Sequence, residues 1–331
     1  MNRAFRLSLA IPVHNEETVL AELLRRTRSA LDGVAGGPHE LVFADDGSSD
    51  RTFSMLKEAA EQDARITVIS LSRNFGHQAA LTAALDHVTG DAVVVLDGDL
   101  QDPPEAIARL LDLYEQGYDV VYAQRASRKE SWPLRICYFA FYRMMSALSN
   151  VQLPLDAGDF GLMSRRVVDE LRRMPEHHRY LRGMRSWVGF RQIGIPIERE
   201  ARHSGVSKYG FLRLMKLAAD GIFAFSIVPI RAAAFLGAVT IAISSIYALA
   251  ALYAKFFLRE SPKGFTALIL ALTFLSGVLL FFLGIIGEYV GRIYEETKAR
   301  PIYVVSRILG GIKGESEDSF SVAARRGQQA D

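Results

Sequence analysis

Residues 93–104 read VVVLDGDLQDPP, an apolar run that ends abruptly in three carboxylates, Asp97, Asp99 and Asp102. From Ala92 to Leu96 every residue is apolar, as in a central parallel strand covered on both faces. Open α/β sheets bind ligands beyond the carboxyl ends of such strands, which is where these carboxylates fall. Asp97 and Asp99 stand two apart, so in an extended chain both point the same way and can share one divalent cation with a diphosphate. Hard cations prefer carboxylate oxygens and leave positions open for substrate phosphates, so the pair suits Mg2+ or Mn2+. Taken alone, the motif also reads as a solvated Asp-Gly turn leading into the next helix, with Pro103 and Pro104 at its start.

Working outward, the first 125 residues repeat one pattern. An apolar run over 7–13 closes in His14-Asn15-Glu16-Glu17, and residues 18–31 then show helical periodicity. Strands over 41–44 and 66–71 end in Asp45-Asp46-Gly47-Ser48-Ser49-Asp50 and Ser72-Arg73-Asn74-Phe75-Gly76-His77, with helices over 51–62 and onward to 88. After 92–96 come a helix over 105–116 and a strand over 119–123 that ends at Gln124-Arg125. Five strands alternating with four helices predict an α/β domain, Rossmann-like, with a mostly parallel sheet and right-handed crossovers. Neither a Gly-x-Gly-x-x-Gly turn nor a Gly-Lys-Ser/Thr phosphate loop is present, so metal and cations must hold phosphate. Glu17 and Asp46 could accept from a base N–H or a ribose hydroxyl. Helix capping is their structural alternative, and it fits Asp50 better than Asp46. His77 reads as a helix-start residue, since no second histidine stands at metal-ligand spacing.

Half of the 331 residues are hydrophobic, enough for a catalytic domain and membrane segments. The lone cysteine, Cys137, excludes an intramolecular disulfide and a thiolate zinc site. The net charge of +2 hides an asymmetry: residues 1–124 carry 10 Lys+Arg against 20 Asp+Glu, residues 125–231 carry 19 against 9. With membrane segments downstream, the basic half points to anionic lipid or a phosphorylated substrate, not nucleic acid. The N-terminus has no signal-peptide pattern, which predicts a cytoplasmic catalytic part.

Residues 131–150 are apolar with Arg135 and Arg143 interspersed, and two arginines at mid-membrane would each cost about 2.5–3.5 kcal/mol. An interfacial helix lets them snorkel. Next, Leu155-Asp156-Ala157-Gly158-Asp159-Phe160 is the best place for acceptor-side carboxylates; alternatively Asp156 and Asp159 fix a turn and pair with Arg165 or Arg166. Residues 202–209, RHSGVSKY, put Arg202 and Lys208 on one glycine-containing loop that could close over a diphosphate. Arg213, Lys216 and Asp220 share one helix face, giving a second interfacial helix. Residues 232–254 and 264–287 contain no charge, and at 1.5 Å per residue each is about 35 Å long, enough to cross a hydrocarbon core of about 30 Å. Two transmembrane helices would return the chain to its starting side, and flanking Arg and Lys place that side in the cytoplasm. Gly287-x-x-x-Gly291 could support helix packing or a homo-oligomer.

IPVHNEE, FADDGSSDRT, SRNFGHQAAL, VVLDGDLQDPPE, DAGDFGLMSRR and HSGVSKYG, in this order, resemble the family-2 glycosyltransferases of GT-A fold. Within them the chain is most similar to the polyprenyl-phosphate glycosyltransferases of the bactoprenol glucosyltransferase and dolichyl-phosphate mannose synthase type. The resemblance implies a GT-A nucleotide-sugar half over 1–130, an acceptor half with interfacial helices over 131–229, a transmembrane hairpin over 230–292 and a cytoplasmic tail over 293–331. It implies nucleotide contacts at Pro12, Glu17 and Asp46, metal and donor diphosphate at Asp97 and Asp99, and further donor contacts at Arg125, Arg202, Ser207 and Lys208. Asp159 aligns with the family's proposed base, with Asp156 beside it. The implied reaction moves a sugar, glucose first among the choices, from a UDP-sugar to undecaprenyl or another polyprenyl phosphate with inversion. Mannose, galactose, GlcNAc or aminoarabinose donors are alternatives. A processive polysaccharide synthase would want Gln-x-x-Arg-Trp where this chain has Met184-Arg185-Ser186-Trp187, and more spans. A non-catalytic scaffold would tolerate loss of Asp97 and Asp99. The implied location is the plasma (inner) membrane, multi-pass, with both termini cytoplasmic.

Overall fold

The computed structural model describes residues 4–125, 157–177, 179–198, 228–253, 257 and 264–311. The chain divides into two compact units, one of Met1–Ser146, Val151–Leu214 and Arg300–Asp331, the other of Ala147–Asn150 and Met215–Ala299.

The first unit is built on an eight-stranded sheet. The expected alternation is present: β1 (Leu7–Val13), α1 (Leu20–Asp32), β2 (Glu40–Asp45), α2 (Thr52–Gln62), β3 (Ile66–Leu71), α3 (His77–His87), β4 (Ala92–Val95), α4 (Ile107–Glu115) and β5 (Val120–Arg125). All seven residues of β1 are buried, as a strand covered on both faces must be. Its odd-numbered side chains Leu7, Leu9 and Ile11 join a core with Leu20, Leu23, Leu56 and Leu110 from α1, α2 and α4. On the opposite face, Ala10 of β1 and Val93 and Val95 of β4 pack with Ala80, Leu81 and Ala84 of α3. The period-2 alternation thus divides each strand between two helical layers.

Strand order is β7-β5-β6-β4-β1-β2-β3-β8. As expected from the first half, the sheet is mostly parallel, with β6 and β8 running against the other six strands. Strands β4, β1, β2 and β3 do run parallel, but β5 is not their neighbour. β6 (Ala157–Ser164) lies between β4 and β5, antiparallel to both. The helix α5 (Arg165–Arg173), the short helix α6 (Leu181–Trp187) and β7 (Gln192–Ile197) follow, β7 being parallel to β5. At the far edge, β8 (Val305–Gly310) pairs antiparallel with β3. Residues expected in a cytoplasmic tail over 293–331 therefore complete the sheet of the first unit. Tyr303 Oη donates to Asp86 of α3 at 2.8 Å, and the Ser72 N–H donates to the Val304 carbonyl at 2.9 Å.

The second unit contains α7 (Val228–Tyr253, 26 residues) and α8 (Phe265–Thr297, 33 residues). Among the described residues, Phe274–Thr297 in α8 is long and apolar enough to cross a membrane, while the apolar stretch Phe235–Tyr247 in α7 is shorter. The expected interfacial helices over 131–150 and 213–220 lie outside the described residues.

Gly161 lets β6 approach β5 closely. A Cβ there would stand 2.6 Å from the Val121 carbonyl oxygen and 2.9 Å from the Tyr122 Cα, both backbone atoms that cannot swing aside. Gly161→Ala should cost about 1–3 kcal/mol by overpacking. Thermal unfolding in detergent should show a midpoint several degrees lower; an unchanged midpoint would mean β6 does not pack against β5 as described.

Candidate active site

The site forms at the carboxyl ends of β1, β2, β3 and β4, where the sheet register sets the spacing. Val95 of β4 pairs with Gly161 of β6. Two residues farther along each antiparallel chain, Asp97 and Asp159 come opposite one another. Gly98 lets the motif lie against β1, because a Cβ there would be 2.9 Å from Val13 Cγ1 and 3.1 Å from the Pro12 carbonyl. Leu100 follows at φ 57, a left-handed conformation uncommon for a side chain of its size. The Asp99 carboxylate accepts from the Gln101 N–H at 3.2 Å, and Asp102 is buried.

His77 was not among the expected site residues. It does begin α3, but its Nε2 lies 3.6 Å from Asp97 Oδ1 and 3.8 Å from Asp159 Oδ2. Asp159 is also gripped by Arg182 of α6, whose Nε and Nη2 donate to its two oxygens at 2.7 and 2.8 Å. The pairing of Asp159 with Arg165 or Arg166 is thereby corrected. Arg165 donates to the Gly90 and Val88 carbonyls, and Arg166 binds Asp119. The Leu181 N–H donates to Gln78 Oε1 at 3.1 Å, fastening the start of α6 to the start of α3.

These contacts drive two nearby carboxylates apart. Burial, reinforced by Asp159, Asp102 and Asp99 and opposed by His77, pushes the Asp97 carboxyl up to about 6. Burial acts most strongly on Asp159 too, but the charge and hydrogen bonds of Arg182, with His77, outweigh it and hold Asp159 far below the usual carboxylate range. For His77, burial is the largest single influence and lowers its pKa; the hydrogen bond that it donates to Asp159 and the two carboxylate charges reverse it, so the ring titrates above its ordinary value. Asp159 is therefore a very weak base in this arrangement.

The ends of β1 and β2 are equally ordered. Asp46 is buried, its Oδ1 accepting from the Phe75 N–H at 2.7 Å and its Oδ2 from the Gly76 N–H at 2.9 Å. It binds the turn into α3, and any nucleotide contact uses lone pairs beyond these. Glu17 Oε2 accepts from the Arg51 backbone N–H at 3.1 Å and lies 3.3 Å from Arg51 Nε. The N-cap of α2 is Arg51, not Asp50, and makes no side-chain cap; Asp50, one residue earlier, accepts from the Thr52 N–H at 2.9 Å. His14 donates through Nδ1 to the Asp46 carbonyl at 2.9 Å and accepts at Nε2 from Asn74 at 3.2 Å, joining the ends of β1, β2 and β3. Pro12 is buried in β1, and Arg125 ends β5. Asp156, Arg202, Ser207 and Lys208 lie outside the described residues.

Residues 8–172 match the family described as glycosyl transferase family 2. The chain is 41% identical over 94% of its length, and 96% of the relative's, to the uncharacterized glycosyltransferase YkcC of Bacillus subtilis. It is 36% identical over 92% of its length, and 99% of the relative's, to the prophage bactoprenol glucosyl transferase homolog of Escherichia coli K12. This chain belongs to glycosyl transferase family 2. It is a glycosyltransferase, and the mixed sheet is its GT-A-like core. Among solved structures, S. aureus TarS 1–349 in complex with UDP-GlcNAc overlaps at a TM-score of 0.41 and 19% identity over 67% of each chain, too loosely to bear on chemistry.

The donor set at Asp97 and Asp99 fits a divalent cation. Four carboxylates crowd one strand end, and their mutual repulsion contributes to the raised pKa of Asp97. Among the described residues no three His, Cys, Asp or Glu side chains converge as a complete metal cage. Two carboxylates that leave the remaining positions to substrate phosphates are how Mg2+ is commonly held.

Asp99→Ala removes one of these two carboxylates from a partly exposed strand end and costs little packing. Sugar transfer should fall by about 10²-fold or more, while the thermal midpoint stays within a few degrees. EDTA should have the same effect on the unaltered enzyme. Full activity in either experiment removes the metal from the site.

Proposed function

We propose that the enzyme transfers glucose from UDP-glucose to a polyprenyl phosphate such as undecaprenyl phosphate, with inversion at the anomeric carbon. What carries this reading is the extent of the match to proteins described as bactoprenol glucosyl transferases, 36% identity over 91% of this chain and 98% of theirs. A match of that length runs through both the catalytic unit and the apolar helices.

In this reading Pro12, Glu17 and Asp46 border the nucleotide, and Asp97 and Asp99 hold Mg2+ or Mn2+. A cation held there would supply positive charge against a departing diphosphate. Arg125, Arg202, Ser207 and Lys208 bind the same leaving group, and Asp156, three residues before Asp159 in the sequence, serves the acceptor side. His77 and Arg182 fix Asp159 where β6 emerges beside β4. A phosphate monoester has its second pKa near about 6, so the acceptor arrives largely as a dianion and needs little deprotonation. That agrees with the weak basicity of Asp159.

The membrane arrangement in this reading is multi-pass, with α7 and α8 as a hairpin in the plasma (inner) membrane and the catalytic unit and both termini cytoplasmic. Connectivity supports it. The segments before and after the hairpin belong to one folded unit, and a unit on one side of a bilayer requires an even number of crossings. The Gly287-x-x-x-Gly291 spacing in α8 is a candidate contact for a homo-oligomer.

Transfer from a panel of UDP-sugars to undecaprenyl phosphate tests the reading, with UDP-glucose expected to be the best donor. Failure of every donor would refute it. The pH dependence adds a sharper check. If the acceptor supplies the nucleophile, the rate should rise with a midpoint near about 6 and the midpoint should move upward with a phosphonate acceptor of higher second pKa. Ionisation of Asp97, pushed up to about 6 in the unliganded site, would instead leave the midpoint unmoved.

A further inference from the structure

Arg182 has more donors than its carboxylate uses. A guanidinium carries five N–H groups; Asp159 engages Nε and Nη2, and among the described residues no hydrogen bond occupies Nη1. The Arg182 side chain is 30% exposed while that of Asp159 is 6% exposed, so the arginine is the member of the pair that solvent reaches. One turn farther along α6, Arg185 is 4% exposed and makes no ion pair among the described residues. Its Nη2 donates to the Gly158 carbonyl at 3.3 Å, its guanidinium lies 5.1 Å from the Tyr122 ring centre, and its Nε has no hydrogen-bond partner. Arg182 and Arg185 thus carry two positive charges against the one carboxylate, Asp159, whose charge both of them feel. Buried positive charge in excess of its counter-charge is costly, and the arrangement favours an incoming anion.

We infer that Arg182 receives the phosphate of the acceptor, with Arg185 adding positive charge behind it, and that Asp159 is the positioning residue holding Arg182 in place. The inference rests on the proposed reading that the acceptor is a lipid phosphate monoester. Arginine suits this task because its planar fork binds two phosphate oxygens at once, and a guanidinium already fixed by a carboxylate loses little freedom in doing so. His77 and the Gln78 contact to Leu181 tie the receptor to the strand end that carries Asp97. A phosphate oxygen then forms the bond to the anomeric carbon while the anomeric C–O bond to the diphosphate breaks, its electron pair leaving with the diphosphate. No proton has to pass to Asp159 when the acceptor is the dianion.

The test uses the full chain in detergent micelles with UDP-glucose, Mn2+ and undecaprenyl phosphate, varying each substrate separately for the unaltered enzyme, Arg182→Lys, Asp159→Asn and the double variant. Each single variant should raise the acceptor KM by about tenfold or more and leave the donor KM within about twofold. The double variant should be no worse than the poorer single one, because Asp159 acts through Arg182. An effect confined to the donor KM, multiplied losses in the double variant, or loss of turnover in Asp159→Asn at unchanged acceptor KM would overturn the inference. Should Asp159→Asn fail to fold, Arg182→Lys, which keeps the charge, decides by its KM split alone. Binding of farnesyl phosphate to the unaltered enzyme and to Arg182→Lys, followed without any donor, separates this idea from the functional reading. Weaker binding in the variant supports the anion site, and equal binding overturns it. Lack of sugar transfer by the unaltered enzyme counts only against the functional reading.

Discussion

The site depends on β6 running antiparallel between β4 and β5. A fifth parallel strand in that place would carry its own C-terminal end to the site and then lead away into a helix. An antiparallel strand brings its beginning there instead, so Asp159 comes opposite Asp97 by register, Val95 against Gly161. The wedge requires close backbone approach on the β5 side, where a Cβ on Gly161 would strike Val121 and Tyr122. Packing in the sheet and placement of the carboxylates are therefore one constraint. Loss of the close approach would also move the group that faces the metal motif.

Once placed together, the carboxylates are kept distinct by their partners. Asp97 is buried among other acids and holds its proton more tightly than an ordinary aspartate, whereas Asp159 is gripped by Arg182 and releases its proton more readily. Environments that push two neighbouring acids in opposite directions assign them different tasks. Asp97 is suited to meet a cation that displaces its proton, Asp159 to remain a fixed negative charge. His77 stands between them, and its own raised pKa reflects both. The same histidine starts α3, whose preceding turn is held by Asp46. A change at Asp46 thus has a short path, through the turn before His77, to the carboxylates.

Much of the first half was legible in the sequence because the signals are local. Apolar runs ending in polar clusters gave β1 to β5, and the spacing of Asp97 and Asp99 marked the strand end. Position β6 was not legible, since an antiparallel insertion between β4 and β5 is a long-range pairing that no local period encodes. Arg182 was hidden among many arginines in the basic half; only its place one turn before Arg185 and opposite β6 distinguishes it. His77 looked like a helix start and is one, but its reach to Asp97 and Asp159 depends on the sheet order. The last strand, Val305–Gly310, falls within the expected tail; its sequence, VSRILG, mixes polar and apolar residues as a half-exposed edge strand does, so no local signal marks it.

Asp159 on the proposed reading illustrates how a carboxylate can be essential without accepting a proton. A hydroxyl acceptor would need a base near neutral pH, and a carboxylate held far below its usual range would serve it poorly. A phosphate dianion poses the opposite problem: it is already nucleophilic but is repelled by the donor diphosphate and by the acidic strand end. Such a site needs positive charge on the acceptor side, fixed well enough that the two anions meet in line instead of drifting apart. Arg182 and Arg185 on one helix, with Asp159 orienting the first of them, meet that need with residues whose charge does not change over the working pH range. The carboxylate's low pKa then belongs to its task, because protonation would release the arginine that it holds.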